Sequence, residues 1–489
     1  MTQPIPLETS VRKALIWNYG VHLVVFVVTF GSTVVVSRLL TPYELGIFGV
    51  GIAISGLLST ISYFGVANYL IRDHDLSEQT VTTAFTVNAL LCLLVATAVW
   101  LLGAIGHSVF ADSAIPRVLR LITLIPVFQI FEFLPATLLT RDMRFASTSV
   151  MQFGKAAVNA AVTIGFALAG WRYLSPAVGA VMGGLFGALG YSLVGRRHLV
   201  FRLSLKGAGQ IVTFAVQMIF AGGVSIIAPR IAELIVARAL GLSALGLYTR
   251  ASGLAAMVWD GAYGLSTRVI FIKMSAELRE SGSLTPIFLK STKILTAIMW
   301  PAMAGIAVLS GPIITGLYGA QWNGAALPLA LIMAGQFVSI GFAMNWELCV
   351  LCNRTGWQAR VEIFRAATGL IAFAFGAMVN LPFAAASRVV EAIVGFVIYR
   401  PRMAEMAIAN PAELSMAYRT SLILTIVAIT PAVMAMAFSG LGYRAAPCRL
   451  MVAVIVGAIF WLMTLHRTRH PLYQELLSVI RRDPAQADA

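Results

Sequence analysis

The sequence predicts an all-α polytopic membrane protein with about fourteen transmembrane helices. Hydrophobic residues make up 59% of the 489 positions and charged residues only 11%, against roughly a quarter charged in soluble domains. The mean hydropathy of +0.86 is spread along the whole chain. Because the basic residues behind the net charge of +15 lie in short loops between apolar runs, they indicate orientation in a membrane and no nucleic-acid partner.

The predicted helices are apolar runs long enough to cross about 30 Å of hydrocarbon. The first run follows Arg12 and Lys13, is too long for the apolar core of a signal peptide and has no cleavage site after it, so we expect it to be retained. Short connections at 171–173 and 380–382 predict tight hairpins. Numbered 1 to 14, the predicted helices lie near residues 14–38, 44–70, 81–105, 118–140, 148–170, 173–195, 211–238, 246–271, 290–313, 325–352, 358–380, 382–400, 418–440 and 447–466.

One motif occurs twice, 200 positions apart. "SRLLTPYELGIF" (37–48) joins predicted helices 1 and 2, and "ARALGLSALGLY" (237–248) joins helices 7 and 8. The matching pairs are Arg38 and Arg238, Leu40 and Leu240, Leu45 and Leu245, Gly46 and Gly246, and Phe48 and Tyr248. A repeat of six helices predicts two parallel lobes, as in alternating-access transporters, and chance similarity between apolar segments is the alternative. We predict a first lobe at 1–209, a second lobe at 210–405, and an appended helix pair with a basic tail at 406–489.

The basic residues also predict the orientation of the chain. With the N-terminus in the cytoplasm, most of the 35 Lys and Arg fall on the cytoplasmic side, which places both termini inside. The strongest cluster joins predicted helices 6 and 7 and comprises Arg196, Arg197, Arg202 and Lys206. Beyond His466 the tail carries one apolar face, so we expect it to lie on the inner membrane surface. That face consists of Leu472, Leu476, Leu477 and Ile480.

Ionisable residues inside membrane helices are candidate functional residues because each is costly in hydrocarbon unless it faces protein or water. In predicted helix 7, Arg230 and Glu233 are three residues apart and can pair on one face. Pro229, with Gly222 and Gly223 before it, is expected to loosen this helix. Arg230 either belongs to a salt bridge that holds helix 7 to its neighbour, or faces a hydrated cavity and meets an anionic group.

Predicted helix 8 carries Arg250, Asp260 and Arg268. The two arginines lie near the helix ends, where long side chains can reach the interface. Asp260 lies near the middle and must pair with an arginine or bind a proton, so Asp260 and Glu233 are the ion-coupling candidates. In predicted helix 1, Asn18 and His22 share a face that either lines a cavity or packs against a helix.

Other charges within helices have simpler interpretations. The spacing of Arg388 and Glu391 predicts a local ion pair in helix 12. Lys155 and Arg365 fall near inner helix ends and are interpreted as orientation charges. The carboxylates of Glu132 and Glu347 are left without an assignment.

Several absences bear on function. The four cysteines form no disulfide framework, and Cys349 and Cys352 lie in an apolar helix without a nearby histidine, which favours packing over a metal or redox role. The sequence contains no phosphate-binding loop of ATPases, no metalloprotease motif and no hydrolase nucleophile motif. We therefore expect no cofactor, no metal site and no enzymatic activity, with energy supplied by an ion gradient or by consumption of the cargo.

Four stretches resemble a known family. "SRLLTPYELGIFGVG", "VANYLIRDHDLSEQTVTTAF", "LPATLLTRDMRF" and "LGLYTRASGLAAMVW" are similar to motifs of bacterial polysaccharide transporters of the Wzx, or lipopolysaccharide flippase, type. These belong to the multidrug/oligosaccharidyl-lipid/polysaccharide superfamily. The likeness covers predicted helices 1 to 4 and 7 to 8. The family often has an acidic–amide pair near the end of helix 7, where this chain has Ala232 and Glu233.

The resemblance implies a flippase that turns an undecaprenyl-diphosphate-linked oligosaccharide from the inner to the outer leaflet of the bacterial inner membrane. It also implies V-shaped lobes around a cationic cavity, for which this chain offers Arg230, Arg250 and Arg268. A monomer working with a polysaccharide polymerase and a chain-length regulator would fit this role. The alternatives are a drug or organic-cation antiporter, for which carboxylates should dominate the cavity, and a membrane polymerase or ligase, which needs larger outer loops.

Overall fold

Helices form most of the chain, and no β-strand occurs among the residues that the structure describes. This computed structural model describes residues 7–72, 76–106, 110, 112–198, 202–218, 223–438 and 447–481; some side chains inside these ranges, including those of Asn18, His22 and Arg268, are not described. Ten helical segments of the described chain are long and apolar enough to cross a membrane, which agrees with the predicted fold class. The count of fourteen and the lobe boundaries stay predictions. The chain divides into two compact units, Met1–Gly246 and Leu247–Ala489.

The helices of the first unit follow the predicted apolar runs. They are α1 (Leu7–Leu39), α2 (Pro42–Arg72), α3 (Glu78–Ala104), α4 (Ala114–Ile122), α5 (Leu124–Arg141), α6 (Phe145–Leu168), α7 (Ser175–Val194), α8 (Ala208–Met218) and α9 (Val224–Leu240). Predicted helix 4 is interrupted at Thr123, between α4 and α5. A buried cluster where α2, α3, α5 and α8 meet contains Val66, Leu70, Ala84, Val87, Phe133, Leu134, Leu138 and Ile211.

Local chemistry sets the start of α2. Thr41 donates to Glu44 Oε2 from its backbone N–H and its hydroxyl, both at 2.9 Å, and the backbone N–H of Glu44 donates to Thr41 Oγ1 at 3.3 Å. These reciprocal bonds form a capping box, which satisfies N–H groups left free at a helix N-terminus. In the first copy of the motif, the start of α2 is therefore set by Thr41, Pro42 and Glu44.

The two copies of the repeated motif contact each other at their glycines. A Cβ atom on Gly46 would lie 1.9 Å from the carbonyl oxygen of Leu242, and one on Gly246 would lie 1.9 Å from that of Pro42. Because 42 and 242, and 46 and 246, are equivalent in the repeat, the contact is reciprocal. Only glycine allows two backbones to approach so closely. This contact gives a structural reason for the recurrence of the motif.

The second unit contains the longest helix of the described chain. The second unit starts within α10 (Leu242–Ser281). Its further helices are α11 (Thr285–Val308), α12 (Ser310–Tyr318), α13 (Ala326–Ile340), α14 (Asn345–Leu351), α15 (Thr355–Val379), α16 (Leu381–Met406), α17 (Pro411–Phe438), α18 (Pro447–Arg467) and α19 (Pro471–Arg481). At 40 residues, α10 is about 60 Å long. It runs ten residues beyond the predicted end at 271, further than the apolar run alone indicates.

Predicted helix 10 is broken at residues 341–344, between α13 and α14. The Tyr418 hydroxyl donates to the carbonyl of Gly341 at 2.6 Å, and the Tyr263 hydroxyl donates to that of Ala343 at 2.5 Å. These donors satisfy carbonyls that a continuous helix would have bonded internally. Apolarity persists across the break, so a hydropathy run cannot locate it.

The tail helix α19 contacts protein at its start, and its place on the membrane surface stays a prediction. Leu472 is buried in a cluster with Ala297, Leu424 and Leu465, and Lys290 Nζ lies 2.7 Å from Glu475 Oε1. At least the first turn of α19 therefore packs on protein. The side chains of Leu476 and Ile480 lie outside the described residues.

Candidate functional site

Arg230 is a half-buried cation in α9 of the first unit. Its Nη1 lies 2.9 Å from Glu233 Oε2 and 3.2 Å from Glu233 Oε1, and its side chain is 35% exposed against 12% for Glu233. The predicted i,i+3 pair is therefore formed. It lies within α9, so this ion pair does not itself hold the helix to a neighbour.

The neighbouring helix α2 makes room for this arginine. A Cβ atom on Gly56 would lie 3.2 Å from Arg230 Nε, which is closer than a well-packed side chain tolerates. Further along the same helix, a Cβ on Gly65 would lie 2.2 Å from the Cβ of Ala215 in α8. Helix α2 thus meets α8 and α9 through glycines, and the guanidinium of Arg230 lies on the bare backbone of Gly56.

Pro229 lies inside α9, which continues through it to Leu240. Proline removes one internal hydrogen bond from a helix, so the loss of a backbone donor beside Arg230 is as predicted. Of the two glycines also proposed to loosen the helix, Gly223 is the N-cap of α9 and Gly222 lies outside the described residues. The loosening of helix 7 stays a prediction.

Arg250 is held among aromatic residues of the second unit. Its guanidinium carbon lies 5.8 Å from the centre of the Trp322 ring, and Trp322 and Tyr318 are fully buried. The buried Nε of Arg250 and the buried hydroxyl of Tyr318 have no hydrogen-bond partner among the described residues. An arginine over a tryptophan face gains a cation–π attraction, so the contact between Arg250 and Trp322 stabilises the N-terminal part of α10.

The remaining predicted site residues are not brought together by the described part of the structure. Asp260 is exposed on α10, and no ion pair to it occurs among the described side chains. The side chains of Arg268, Asn18 and His22 lie outside the description. Their roles, and those of Asp260 and Arg250 toward a cargo, stay predictions.

Sequence reasoning missed one ion pair and all but one pair of a second charged network. In the first unit, Lys155 Nζ lies 2.8 and 2.7 Å from the two carboxylate oxygens of Glu132, so the side chain interpreted as an orientation charge has a partner. No spacing rule finds this pair, because its members lie on different helices, α5 and α6. Gly187 of α7 lies beside it, where a Cβ would come within 2.8 Å of Glu132 Oε2.

The second system is a chain of charged and phenolic groups linking α10, α15 and α16. Arg388 donates to Glu391 at 2.9 Å and to the Tyr248 hydroxyl at 3.1 Å. Arg365 donates to Glu391 at 2.7 Å and to Glu362 at 2.6 Å, and the Tyr399 hydroxyl donates to Glu362 at 2.8 Å. The predicted Arg388–Glu391 pair is confirmed, and Arg365 is a buried link in this network. We call these six residues the α15–α16 network.

A metal centre has no candidate within the described ranges. No three His, Cys, Asp or Glu side chains there lie close enough to hold a metal ion. The described cysteines form no disulfide, and Cys92 and Cys349 are buried. The described side chains that could bind a ligand are therefore arginines, carboxylates and aromatic rings.

Comparison with known proteins finds relatives that are named for polysaccharide biosynthesis. Residues 35–327 match the model of a family described as "Polysaccharide biosynthesis protein". The chain is 22% identical over 332 residues to the succinoglycan biosynthesis transport protein ExoT of Rhizobium meliloti (strain 1021), covering 68% of this chain and 67% of that protein. It is 23% identical over 340 residues to the lipopolysaccharide biosynthesis protein WzxC of Escherichia coli (strain K12), covering 66% of this chain and 67% of that protein.

Solved structures share the fold at low sequence identity. The lipid II flippase MurJ, in an inward closed conformation, superposes with a TM-score of 0.72 over 94% of this chain and 100% of that chain, at 13% identity. An inward-facing multidrug resistance MATE family transporter of the MOP superfamily gives a TM-score of 0.57 over 78% of this chain and 94% of that chain, at 14% identity. At such identities the likeness concerns the fold alone.

Proposed function

The chain belongs to the polysaccharide biosynthesis protein family, and on that premise we propose that it is a flippase for a lipid-linked oligosaccharide. Its relatives are named as transport proteins of polysaccharide biosynthesis, and its fold is that of the MOP superfamily. The cargo is an oligosaccharide on undecaprenyl diphosphate. It moves from the inner to the outer leaflet of the bacterial inner membrane by alternating access, and the polysaccharide is assembled outside.

The observation that carries this proposal is the half-buried guanidinium of Arg230. Only its Nη1 is bonded to Glu233, and about a third of the side chain is exposed. A guanidinium presents its donors in a planar fork that matches phosphate oxygens. A cation in a helix that is predicted to cross the membrane is costly unless it faces protein, water or a partner charge, and a site for an anionic cargo offers such surroundings. Arg230 therefore contacts the diphosphate in this proposal.

Other residues have subordinate roles in the proposal. Arg250, Arg268, Asn18 and His22 line the path of the cargo, and Asp260 and Glu233 are candidates for ion coupling. Both termini are cytoplasmic, in keeping with the basic loops. A polysaccharide polymerase and a chain-length regulator receive the cargo on the outer side, and the flippase acts as a monomer.

Export in a strain that lacks the native gene tests the role of Arg230. We expect Arg230→Ala to stop polysaccharide export at normal protein level, because a charge-assisted hydrogen bond of about 1.5–3 kcal/mol is lost. Arg230→Lys should restore export only in part, since lysine lacks the fork. Arg238→Ala is the matched control, because Arg238 is an exposed arginine two turns further along α9.

The double variant separates the two interpretations of the ion pair. If Arg230 only neutralises Glu233, Arg230→Ala/Glu233→Ala should export better than either single variant. If Arg230 binds the cargo, the double variant should fail like Arg230→Ala. Full export by Arg230→Ala would contradict the assignment.

A further inference from the structure

A buried carboxyl group lies at the break between α13 and α14. The side chain of Glu347 belongs to a residue only 3% exposed, and its Oε2 has no hydrogen-bond partner among the described residues. An ionised carboxylate in such surroundings is costly unless it is paired. A small cation, such as a proton or a metal ion, would remove this cost by neutralising the carboxylate.

Among the described side chains, no cation is bonded to the Glu347 carboxyl group. From α10, Tyr263 is the titratable group that interacts with it, and its hydroxyl already donates to the Ala343 carbonyl. On α15 and α16, Glu362, Arg365, Arg388 and Glu391 bond one another and two tyrosines. The other charged groups of these helices also have partners elsewhere: Arg360 donates to the Gly356 carbonyl, Arg400 donates to Ser415, and Arg402 pairs with Glu405. On α14 itself, Cys349 is an uncharged neighbour, and the side chain of Arg268 on α10 is not described.

A metal cation fits this place poorly. Hard cations such as Ca²⁺ and Mg²⁺ take about six or more oxygen ligands. Two carbonyls of the break, those of Gly341 and Ala343, are already occupied by tyrosine hydroxyls. One carboxyl oxygen remains, and one oxygen suffices for a proton.

We propose that Glu347 is a proton-binding site, and that loading and unloading of this proton drives the transport cycle, a coupling step that rests on the proposed function. The proton forms an O–H bond at Glu347 when water reaches the carboxylate on one side, and that bond breaks when water reaches it from the other. Asp260 is exposed and Glu233 is bonded to Arg230. Neither of these carboxylates combines burial with an unpartnered oxygen as Glu347 does.

The first experiment reads the protonation state without any cargo. Infrared spectra of the purified chain at neutral pH distinguish a protonated carboxyl group from a carboxylate. We expect one protonated carboxyl per chain in the wild type, its loss in Glu347→Gln, and its retention in Glu413→Gln. Glu413 is the matched control because it is an exposed glutamate at the start of α17. Identical spectra for wild type and Glu347→Gln would overturn the assignment, as would the appearance of the band only after Arg268→Gln.

The second experiment tests coupling in proteoliposomes with a fluorescent lipid-linked oligosaccharide. An imposed pH gradient should accelerate flipping by wild type and by Glu413→Gln, and the acceleration should be lost in Glu347→Gln while basal flipping persists. Acceleration by a sodium gradient alone would overturn the proton assignment. If wild type flips no cargo but the infrared band depends on Glu347, the proposed function fails and the proton site stands.

Discussion

Replacing Glu391 with alanine is expected to destabilise the protein strongly, because Glu391 is the centre of the α15–α16 network. Its two carboxylate oxygens accept from Arg365 Nη1 at 2.7 Å and from Arg388 Nη1 at 2.9 Å. The side chain is only 13% exposed. Alanine would remove both bonds and leave two buried guanidinium groups with fewer partners.

The magnitude follows from those two bonds. A hydrogen bond to a charged group contributes about 1.5–3 kcal/mol, and removal of one member of a buried ion pair costs about 3–5 kcal/mol. Arg365 keeps Glu362 and Arg388 keeps Tyr248, so neither guanidinium is left bare. We expect Glu391→Ala to lower the free energy of unfolding by about 3–5 kcal/mol.

The assay is denaturant unfolding of the purified chain in detergent, followed by far-ultraviolet circular dichroism. Glu405→Ala is the matched control. Glu405 forms the same i,i+3 pair with Arg402 at 2.7 Å, but both side chains are more than half exposed. Exposed pairs contribute about 0–1 kcal/mol, so this control should unfold almost like wild type.

Equal effects of Glu391→Ala and Glu405→Ala would refute the reasoning, because burial would then have no bearing on the strength of the pair. A second outcome sharpens the test. Replacing both Arg388 and Glu391 with leucine should recover part of the loss, since apolar residues can substitute for a buried ion pair. A double variant less stable than the sum of its single variants would contradict this.

Two further predictions concern the repeated motif and the tail. Gly46→Ala places a methyl group against the Leu242 carbonyl and should reduce the folded yield in detergent. The control Gly20→Ala, whose added methyl group would have no atom within 4 Å, should be neutral or slightly stabilising. Equal yields of the two variants would contradict the glycine contact. Burial and the nearby Lys293 lower the pKa of His470 to about 4. The contribution of His470 to the free energy of unfolding should therefore be constant above about pH 6.5 and fall as the pH drops toward 4, by at most about 3 kcal/mol. His470→Asn should flatten this profile in pH-dependent thermal unfolding, and an unchanged profile would contradict it.

Hydropathy and charge spacing predicted the features that depend on neighbours in sequence. The helices follow apolar runs because a segment in hydrocarbon must satisfy its backbone hydrogen bonds internally, as a helix does. The Arg230–Glu233 and Arg388–Glu391 pairs follow from i,i+3 spacing and are formed. The repeated motif was visible as a pattern, and its glycines fall where two backbones meet.

Features that depend on packing between distant segments could not be predicted. The Lys155–Glu132 pair joins helices α5 and α6, and the Arg365–Glu391 link joins α15 and α16. The break at 341–344 depends on hydroxyl donors from Tyr263 and Tyr418, which are remote in sequence. A single sequence records which groups are present but not which of them meet.

Reconstituted flipping of a lipid-linked sugar decides whether the chain is a flippase and whether Arg230 takes part. Proteoliposomes containing the purified chain and an undecaprenyl-diphosphate-linked oligosaccharide are assayed for transfer of the sugar from one leaflet to the other, with Arg230→Ala as the comparison and Arg238→Ala as the control. We expect wild type and Arg238→Ala to transfer the labelled sugar and Arg230→Ala to do so at least tenfold more slowly, the ratio to which about 1.4 kcal/mol corresponds. Transfer by wild type no faster than in protein-free liposomes, or by Arg230→Ala at the wild-type rate, would contradict this expectation.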